Sequence, residues 1–327
     1  MSFWLITAMV SLAVFGLTAA VAALFTRTVL RLVYPPLART SPRMQANALF
    51  LFRIFPLAAG LFASVALALP AFLRFEPHLV SEAISLKLWL LAAGGGIVLT
   101  AIVARGALML WATSKAEGLW IHRAERVQSL AAGSLVPIFR VDGFAPLLIV
   151  TGLFRAKLFI SSAVLEMLSP GELGAALAHE MAHVRVFDNF KQMLFRICRP
   201  PRWLELEKET AAWVSACELA ADDAALDHGA SALDLAGALV KMARMKCQLT
   251  GDLAACQLLS DLPYTSLQAR IVHLEKAIEN SHHPARRQSR RYRLYLLALL
   301  VMPALICLPY VNSLLGAVHE ILELLVR

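Results

Sequence analysis

Charged residues are scarce in this sequence. They make up 17% of its 327 residues, whereas 59% of the residues are hydrophobic and the mean hydropathy is +0.65. Soluble domains are typically about a quarter charged and about half apolar. The chain is therefore too apolar for a water-soluble domain of ordinary composition, and its composition predicts membrane-spanning helices.

Cysteine pairs and basic aromatic stripes are also missing. None of the five cysteines belongs to a C-x-x-C pair, and four of them lie in the segment that is assigned below to the cytoplasm, where disulfides are rare. They are interpreted as small apolar side chains. Because no basic stripe is interleaved with aromatic residues, direct nucleic-acid binding is not expected. The net charge of +8 is attributed to membrane topology and to anionic lipid headgroups.

Apolar runs long enough to cross a bilayer are plentiful. A spanning helix takes about 20 residues, and such runs occur at residues 3–25, 49–73, 88–111 and 294–318. Arg27 and Arg31 follow the first run and no basic residue precedes it. We therefore expect a retained helix and not a cleaved signal peptide.

Basic residues predict how these helices are oriented. The connection at residues 26–48 carries four arginines and no acid, and the run RRQSRRYR at residues 286–293 precedes the fourth helix. The second connection is balanced in charge. Because basic connections remain on the cytoplasmic side, both termini are expected outside and residues 112–293 inside. The predicted location is the bacterial inner membrane, crossed several times.

The large cytoplasmic segment contains signals for both strands and helices. Short β-prone runs between Leu135 and Ser161 predict a small sheet. The sequence SPGE, which begins at Ser169, combines a cap, a proline and a glutamate in the pattern of a helix start. Gly229 is expected to end a later helix in the left-handed conformation.

These patterns predict a mainly α fold: a polytopic membrane protein with four transmembrane helices and a cytoplasmic zincin-like (H-E-x-x-H) α+β domain between the third and fourth. Three units are expected. Residues 1–111 form the N-terminal membrane region, residues 112–293 the cytoplasmic domain, and residues 294–327 the fourth helix with a short extracytoplasmic tail.

The sequence LAHEMAHVRVFDN, at residues 177–189, contains the spacing of a zinc site. On a helix His179 and His183 are one turn apart and point the same way, so their imidazoles can occupy adjacent corners of a tetrahedral zinc ion. Glu180 can reach a water at the fourth corner and act as its general base. The alternative is an amphipathic helix that contains histidines by chance.

A third ligand is expected from a second helix. The sequence CELAADDAAL, at residues 217–226, places Glu218 and Asp222 four residues apart on one face. Glu218 is predicted to bind zinc, and Asp222 to accept a hydrogen bond from a histidine ligand. A solvated acidic face is the alternative. Arg270 is expected either to pair with an acid near the site or to bind the substrate backbone.

Together these motifs resemble the membrane-embedded zinc metallopeptidases of the BlaR/MecR antirepressor type. The resemblance lies in HEMAHVRVFDN, preceded by SPGELGAALA and followed by ELAADDAAL, and in the order of spanning helices and zinc domain. It implies one zinc ion per chain. It also implies a role for each of six residues: ligands His179, His183 and Glu218, base Glu180, and supporting acids Asp188 and Asp222.

The sequence departs from that family in two places. The family's receptors continue into an extracellular penicillin-binding sensor domain, whereas this sequence ends at Arg327, so antibiotic sensing is not carried over. The stretch between the two ligand helices also lacks the N-P-L-x-W-like segment that is common in the family. The resemblance therefore does not identify a substrate.

The predicted function is an integral-membrane zinc-dependent endopeptidase that acts in signal transduction. Its target would be a cytoplasmic or membrane-proximal protein, either a transcriptional repressor or the enzyme itself. A housekeeping membrane protease of the CAAX-processing or heat-shock type and a non-catalytic zincin-like signalling scaffold are the alternatives. The expected partners are a protein or peptide substrate, the lipid bilayer, and a regulatory membrane partner or a homo-oligomer. Substrate is expected to add as an extra strand beside residues 157–161.

Overall fold

The computed structural model describes residues 3–76, 85–122, 124–127, 136–142, 147–153, 155–199, 207–250, 264–279 and 311–326. These residues form mainly helices and one small sheet. The predicted mainly α fold is thereby confirmed.

Long apolar helices make up the N-terminal region. They are α1 (Phe3–Leu37), α2 (Pro42–Phe62), which continues through a π-helical segment (Ala63–Ala68) into α3 (Leu69–Phe75), and α4 (Leu86–Ile121). Three stretches are long and apolar enough to cross a membrane, Phe3–Leu37, Pro42–Phe75 and Leu86–Lys115. They match the first three of the four predicted spans.

The first two helices extend well beyond the predicted spans. Residues 26–48 were expected to form a connection, but only residues 38–41 interrupt the helices there. The reason is packing: Leu30, Leu37, Ala46 and Leu49 are buried together with Phe195 and Trp213, which come much later in the chain. Hydropathy marks where a helix enters the bilayer, not where it ends, so this extension was not visible in the sequence.

Close backbone contact joins α1 to α4. A Cβ atom on Gly95 would lie 2.0 Å from the carbonyl oxygen of Leu12, and the backbones of Gly16 and Gly95 are in contact. Small residues allow spanning helices to approach in this way. Gly95 of the third predicted span therefore serves helix packing.

The sheet contains β1 (Ala124–Arg126), β2 (Ile138–Val141), β3 (Leu148–Thr151) and β4 (Lys157–Ser161), in the spatial order β1-β2-β4-β3. β4 pairs parallel with β2 and antiparallel with β3. The prediction that a substrate strand adds beside residues 157–161 is therefore wrong, because both sides of β4 are already paired. Among the described strands, β3 is the edge strand next to β4.

Between the sheet and residue 279, the described residues form the helices α5 (Ser162–Met167), α6 (Pro170–Arg185), α7 (Asp188–Ile197), α8 (Glu207–Asp227), α9 (Ala232–Thr250) and α10 (Tyr264–Glu279). The predicted start of α6 is confirmed, since Ser169 Oγ accepts from the N–H of Glu172 and the Glu172 carboxylate accepts from the N–H of Ser169. Gly229 has a φ of 93° just after α8, as expected.

The last described helix, α11 (Val311–Val326), packs on the N-terminal bundle. Its residues Leu315 and Leu322 are buried with Ile6, Val10 and Phe72. Residues 280–310, which include most of the predicted fourth span, lie outside the described residues. α11 passes the predicted end of that span at Val318 and occupies most of the segment expected to be a tail.

Candidate metal centre

Helix α6 presents both histidines of the H-E-x-x-H motif on one face. The Nε2 atoms of His179 and His183 are 3.2 Å apart, and their rings stand nearly perpendicular at 84°. His179 is buried, with 6% of its surface exposed. The two nitrogens thus face the same point, as the four-residue spacing predicts.

Helix α8 brings the carboxylate of Glu218 to the same point. Its Oε2 lies 3.5 Å from His179 Nε2, and its Oε1 lies 3.7 Å from His183 Nε2. In the part of the chain that the structure describes, His179, His183 and Glu218 form the group of three potential ligands whose atoms all lie within 4.8 Å of one another.

These separations fit a tetrahedral metal. Zinc bonds to nitrogen and oxygen of about 2.0–2.1 Å require ligand atoms roughly 3.3–3.4 Å apart. The two histidine nitrogens are 3.2 Å apart, and they lie 3.5 and 3.7 Å from the two carboxylate oxygens of Glu218. Two imidazoles and one carboxylate are also a donor set that zinc accepts in catalytic sites. The residues present therefore fit a zinc ion.

Two aspartates hold the outer nitrogens of the histidines. Asp188 Oδ2 lies 2.8 Å from His183 Nδ1, and Asp222 Oδ1 lies 2.9 Å from His179 Nδ1. A carboxylate at Nδ1 keeps the proton there and leaves the lone pair on Nε2 for a metal. The structure thus brings Asp188 and Asp222 to the places where the resemblance expects supporting acids.

Arg270, on α10, joins the two acids of α8. Its Nε and Nη2 donate to the carboxylate oxygens of Asp222 at 2.8 and 2.6 Å, and its Nη1 donates to Glu218 Oε2 at 2.8 Å. The side chain is buried, with 7% exposed. Of the two roles considered for Arg270, pairing with acids near the site matches these contacts, because its donors point at carboxylates.

The centre contains more acidic than basic side chains. Four carboxylates, those of Glu180, Asp188, Glu218 and Asp222, lie near two cationic side chains, Arg270 and Lys191. Burying unpaired charge is costly. A divalent cation held by the two histidines and Glu218 would lower this cost, which is a second reason why the site fits a metal.

The pKa values of the centre reflect this crowding. Burial and the Arg270 guanidinium lower the pKa of His179, but hydrogen bonds to Asp222 and Glu218 outweigh them and raise it to about 9. Burial raises the pKa of Glu218 and of Asp222, but contacts with His179 and Arg270 prevail and hold both below their usual values.

Glu180 lies beside these groups, but its carboxyl group has a different environment. Burial raises the pKa of its carboxyl above the usual value, against the neighbouring histidines, which lower it. Among the described residues no side chain or backbone N–H donates a hydrogen bond to this carboxylate. Its oxygens are therefore free to bind a water.

Sequence reasoning missed Asn189, the last residue of the quoted motif stretch. Its Nδ2 donates to the carbonyl oxygens of Val150 and Gly152 at 3.0 and 3.3 Å. This contact ties the start of α7 to the edge strand β3. An asparagine directly after Asp188 was the only signal in the sequence, and nothing there indicated a contact with a strand about 40 residues earlier.

Comparison with protein families gives a match for the part of the chain that contains this centre. Residues 149–293 match the family model of Peptidase family M48. The match begins in β3 and includes the helices α6, α8 and α10 that carry the centre. It supports the M48 metallopeptidase family and does not single out the BlaR/MecR type. No curated protein and no solved structure matches the chain.

Joined to three apolar helices, the M48 domain points to a membrane-associated metalloprotease. M48 peptidases are typically metal-dependent, in agreement with the two histidines and the glutamate that meet here.

Proposed function

We propose that this protein is an integral-membrane zinc-dependent endopeptidase. The observation that carries the proposal is the convergence of His179, His183 and Glu218 on one point, with Asp188 and Asp222 behind the histidines. The match of residues 149–293 to Peptidase family M48 supports it independently.

In this mechanism each residue has a separate task. His179, His183 and Glu218 would hold the zinc ion, which when bound would lower the pKa of a water and polarise the scissile carbonyl. Glu180 is the residue placed to accept a proton from the attacking water and to pass it to the leaving amine. Asp188 and Asp222 fix the orientation of the histidine rings.

Arg270 acts as a positioning residue. Because it donates to both Glu218 and Asp222, it sets the distance between a ligand and the acid that supports His179. Its positive charge also lowers the cost of burying the two carboxylates.

The edge of β3 is the proposed binding place for a substrate segment. The N–H of Ser161 donates to the carbonyl of Leu147, so in the antiparallel ladder the backbone groups of Leu148 and Val150 face away from β4. An extended peptide can pair with these groups through main-chain hydrogen bonds. Asn189 already occupies the carbonyl of Val150, which limits how far along the strand such a peptide pairs.

The position of the domain beside the membrane favours membrane-proximal targets. Arg53 of α2 donates to the carbonyl of Phe195, and Arg105 of α4 donates to the carbonyl of Arg199. Both arginines lie near the predicted inner ends of their spans. We propose cleavage of a cytoplasmic or membrane-proximal protein in signalling, by a multi-pass inner-membrane protein with both termini outside.

A housekeeping membrane protease remains the second candidate, because the family match supports a metallopeptidase without specifying its target. The two candidates differ in selectivity. A signalling protease cuts few proteins in its own membrane fraction, whereas a housekeeping protease cuts many misfolded ones.

Metal removal tests the proposal. Purified full-length protein should contain about one zinc ion per chain, and a chelator should abolish its cleavage of an unfolded protein substrate until zinc is restored. Undiminished cleavage after complete removal of the metal would contradict the proposed function.

A further inference from the structure

A cavity of about 260 Å³ lies between α2 of the membrane region and the helices α6, α7 and α8 of the M48 domain. Its lining includes several small side chains, among them Ala182, Ala221 and Ala224. The mechanism proposed above does not use this cavity, although Asp188 forms part of its wall.

The lining of the cavity carries excess positive charge. Arg43, Arg185 and Lys191 contribute three cations, and Asp188 contributes the one acid. Lys191 donates to Asp188 Oδ1 at 3.2 Å. Within the described part of the chain, the side chains of Arg43 and Arg185 take part in neither a hydrogen bond nor an ion pair. Two guanidinium groups thus line one concave space without an anionic partner in the protein.

We propose that this cavity binds a phosphate-type anion. The planar fork of arginine matches phosphate oxygens in pairs, and lysine adds a point charge. The amide of Asn47, which also lines the cavity, is a further donor. The volume is slightly below the range of about 300–1,000 Å³ that is typical of ligand pockets, so the fitting ligand is a small anion.

The distance between the cavity and the proposed membrane surface favours a soluble anion over a lipid headgroup. On the proposed topology, Arg53 lies near the inner end of the second span. Arg43 precedes it on the same helix by ten residues, which is about 15 Å of helix. The headgroup layer is only about 5–8 Å thick on each side. The phosphate that reaches Arg43 is therefore expected from solution, with an anionic lipid as the other source of the same chemistry.

A bound anion would fasten the membrane helices to the domain. Arg43 belongs to α2, whereas Arg185 and Lys191 belong to the M48 domain. An anion that contacts both sides adds a connection between them, and a ligand that binds only the folded protein raises its unfolding temperature. This effect does not require that the candidate centre hold zinc.

The test uses metal-free full-length protein in detergent and inorganic phosphate as the probe. Calorimetric titration and thermal unfolding are compared for the wild type, for the double variant Arg43→Gln/Arg185→Gln, and for Arg39→Gln. Arg39 is the matched control, because it is an exposed arginine of the same connection that does not line the cavity.

We expect phosphate to bind the wild type and Arg39→Gln alike, to raise their unfolding temperature, and to bind at least tenfold more weakly to the double variant. Far-UV circular dichroism establishes that the double variant is folded. Equal binding by the double variant, or no binding by the wild type, overturns the proposal. Because zinc is absent, neither result bears on the proposed peptidase.

A second arm identifies the source of the phosphate. The same three proteins are placed in bilayer nanodiscs of phosphatidylcholine, with and without phosphatidic acid. Stabilisation by phosphatidic acid that depends on Arg43 and Arg185 assigns the site to a lipid, and stabilisation by free phosphate alone assigns it to a soluble ligand. Stabilisation of the double variant to the same extent as the wild type contradicts a site in this cavity.

Discussion

At the residue scale, Arg270 is the clearest case of a side chain that supports the centre without touching substrate. Arg270→Gln should leave Glu218 and Asp222 without their shared cation. Removing one partner from a buried ion pair costs about 3–5 kcal/mol. We therefore expect a lower unfolding temperature and weaker zinc binding, both measured on purified protein. Arg244→Gln, a change of an arginine on α9 outside the centre, is the control, and equal losses in the two variants would contradict this role.

Glu218 supplies the second residue-scale prediction. Glu218→Ala removes one of three proposed ligands, so most of the zinc and most of the hydrolysis should be lost. Asp223→Ala, in the same helix, removes an acid that pairs with His273 and not with the centre, and it should retain the metal. Zinc content measured by atomic absorption checks both, and full zinc occupancy in Glu218→Ala would mean that the third ligand is another residue.

Much of the centre could be predicted from the sequence, since helical spacing alone places His179 near His183 and Glu218 near Asp222. What spacing cannot supply is the contact between helices. The sequence left two roles open for Arg270. Arg270 lies 48 positions after Asp222, and no pattern in the sequence predicts how α8 and α10 approach each other.

At the scale of elements, the glycines of α4 test how the membrane helices pack. Gly95→Ala would place its Cβ 2.0 Å from the Leu12 carbonyl oxygen, whereas nothing lies within 4 Å of the same atom on Gly94. Alanine is favoured over glycine inside a helix by about 1 kcal/mol. Gly95→Ala should therefore lower the unfolding temperature in detergent, and Gly94→Ala should leave it unchanged or raise it. Similar behaviour of the two variants would contradict the close contact.

The elements also show where sequence reasoning ends. Apolar runs predicted three helices that were found, and the capping pattern SPGE predicted where α6 begins. The strand order was not predicted. β2 pairs directly with β4, although β3 lies between these two strands in the sequence. Local sequence carries no information on such a crossover, and the wrong strand was consequently expected to receive the substrate.

At the scale of the whole molecule, the membrane helices and the M48 domain share a hydrophobic core. Trp213 and Phe195 of the domain are stacked, with ring centroids 4.4 Å apart, and are buried with Leu30 and Leu49 of the membrane helices. Cutting the chain between these parts would expose that surface to water. We therefore expect residues 112–293 to depend on the N-terminal helices for part of their core.

From this core we predict how the isolated segment 112–293 behaves. It should bind zinc but cut an unfolded test protein poorly, while full-length protein in detergent or bilayer cuts it well. Zinc content and cleavage rate, compared on matched samples, check this. Equal cleavage by the isolated segment would refute control of the site by the membrane helices.

Topology is the other prediction for the whole molecule. Reporter fusions after Pro77 and after Arg286 should lie on opposite sides of the membrane, because the connection at residues 26–48 and the run at 286–293 are both basic. Signals from the same side would contradict the arrangement of four spans.

The central claim is that Glu180 acts as the base of a zinc peptidase without binding the metal itself. Its most direct test is Glu180→Gln in full-length protein, with Glu166→Gln, an exposed glutamate on α5, as the matched control. Zinc content and cleavage of an unfolded protein are measured on the same preparations. We predict that Glu180→Gln keeps about one zinc per chain and loses cleavage by at least the 10²-fold or so expected for general-base catalysis, while Glu166→Gln retains both. Cleavage by Glu180→Gln at the rate of the control would contradict the account.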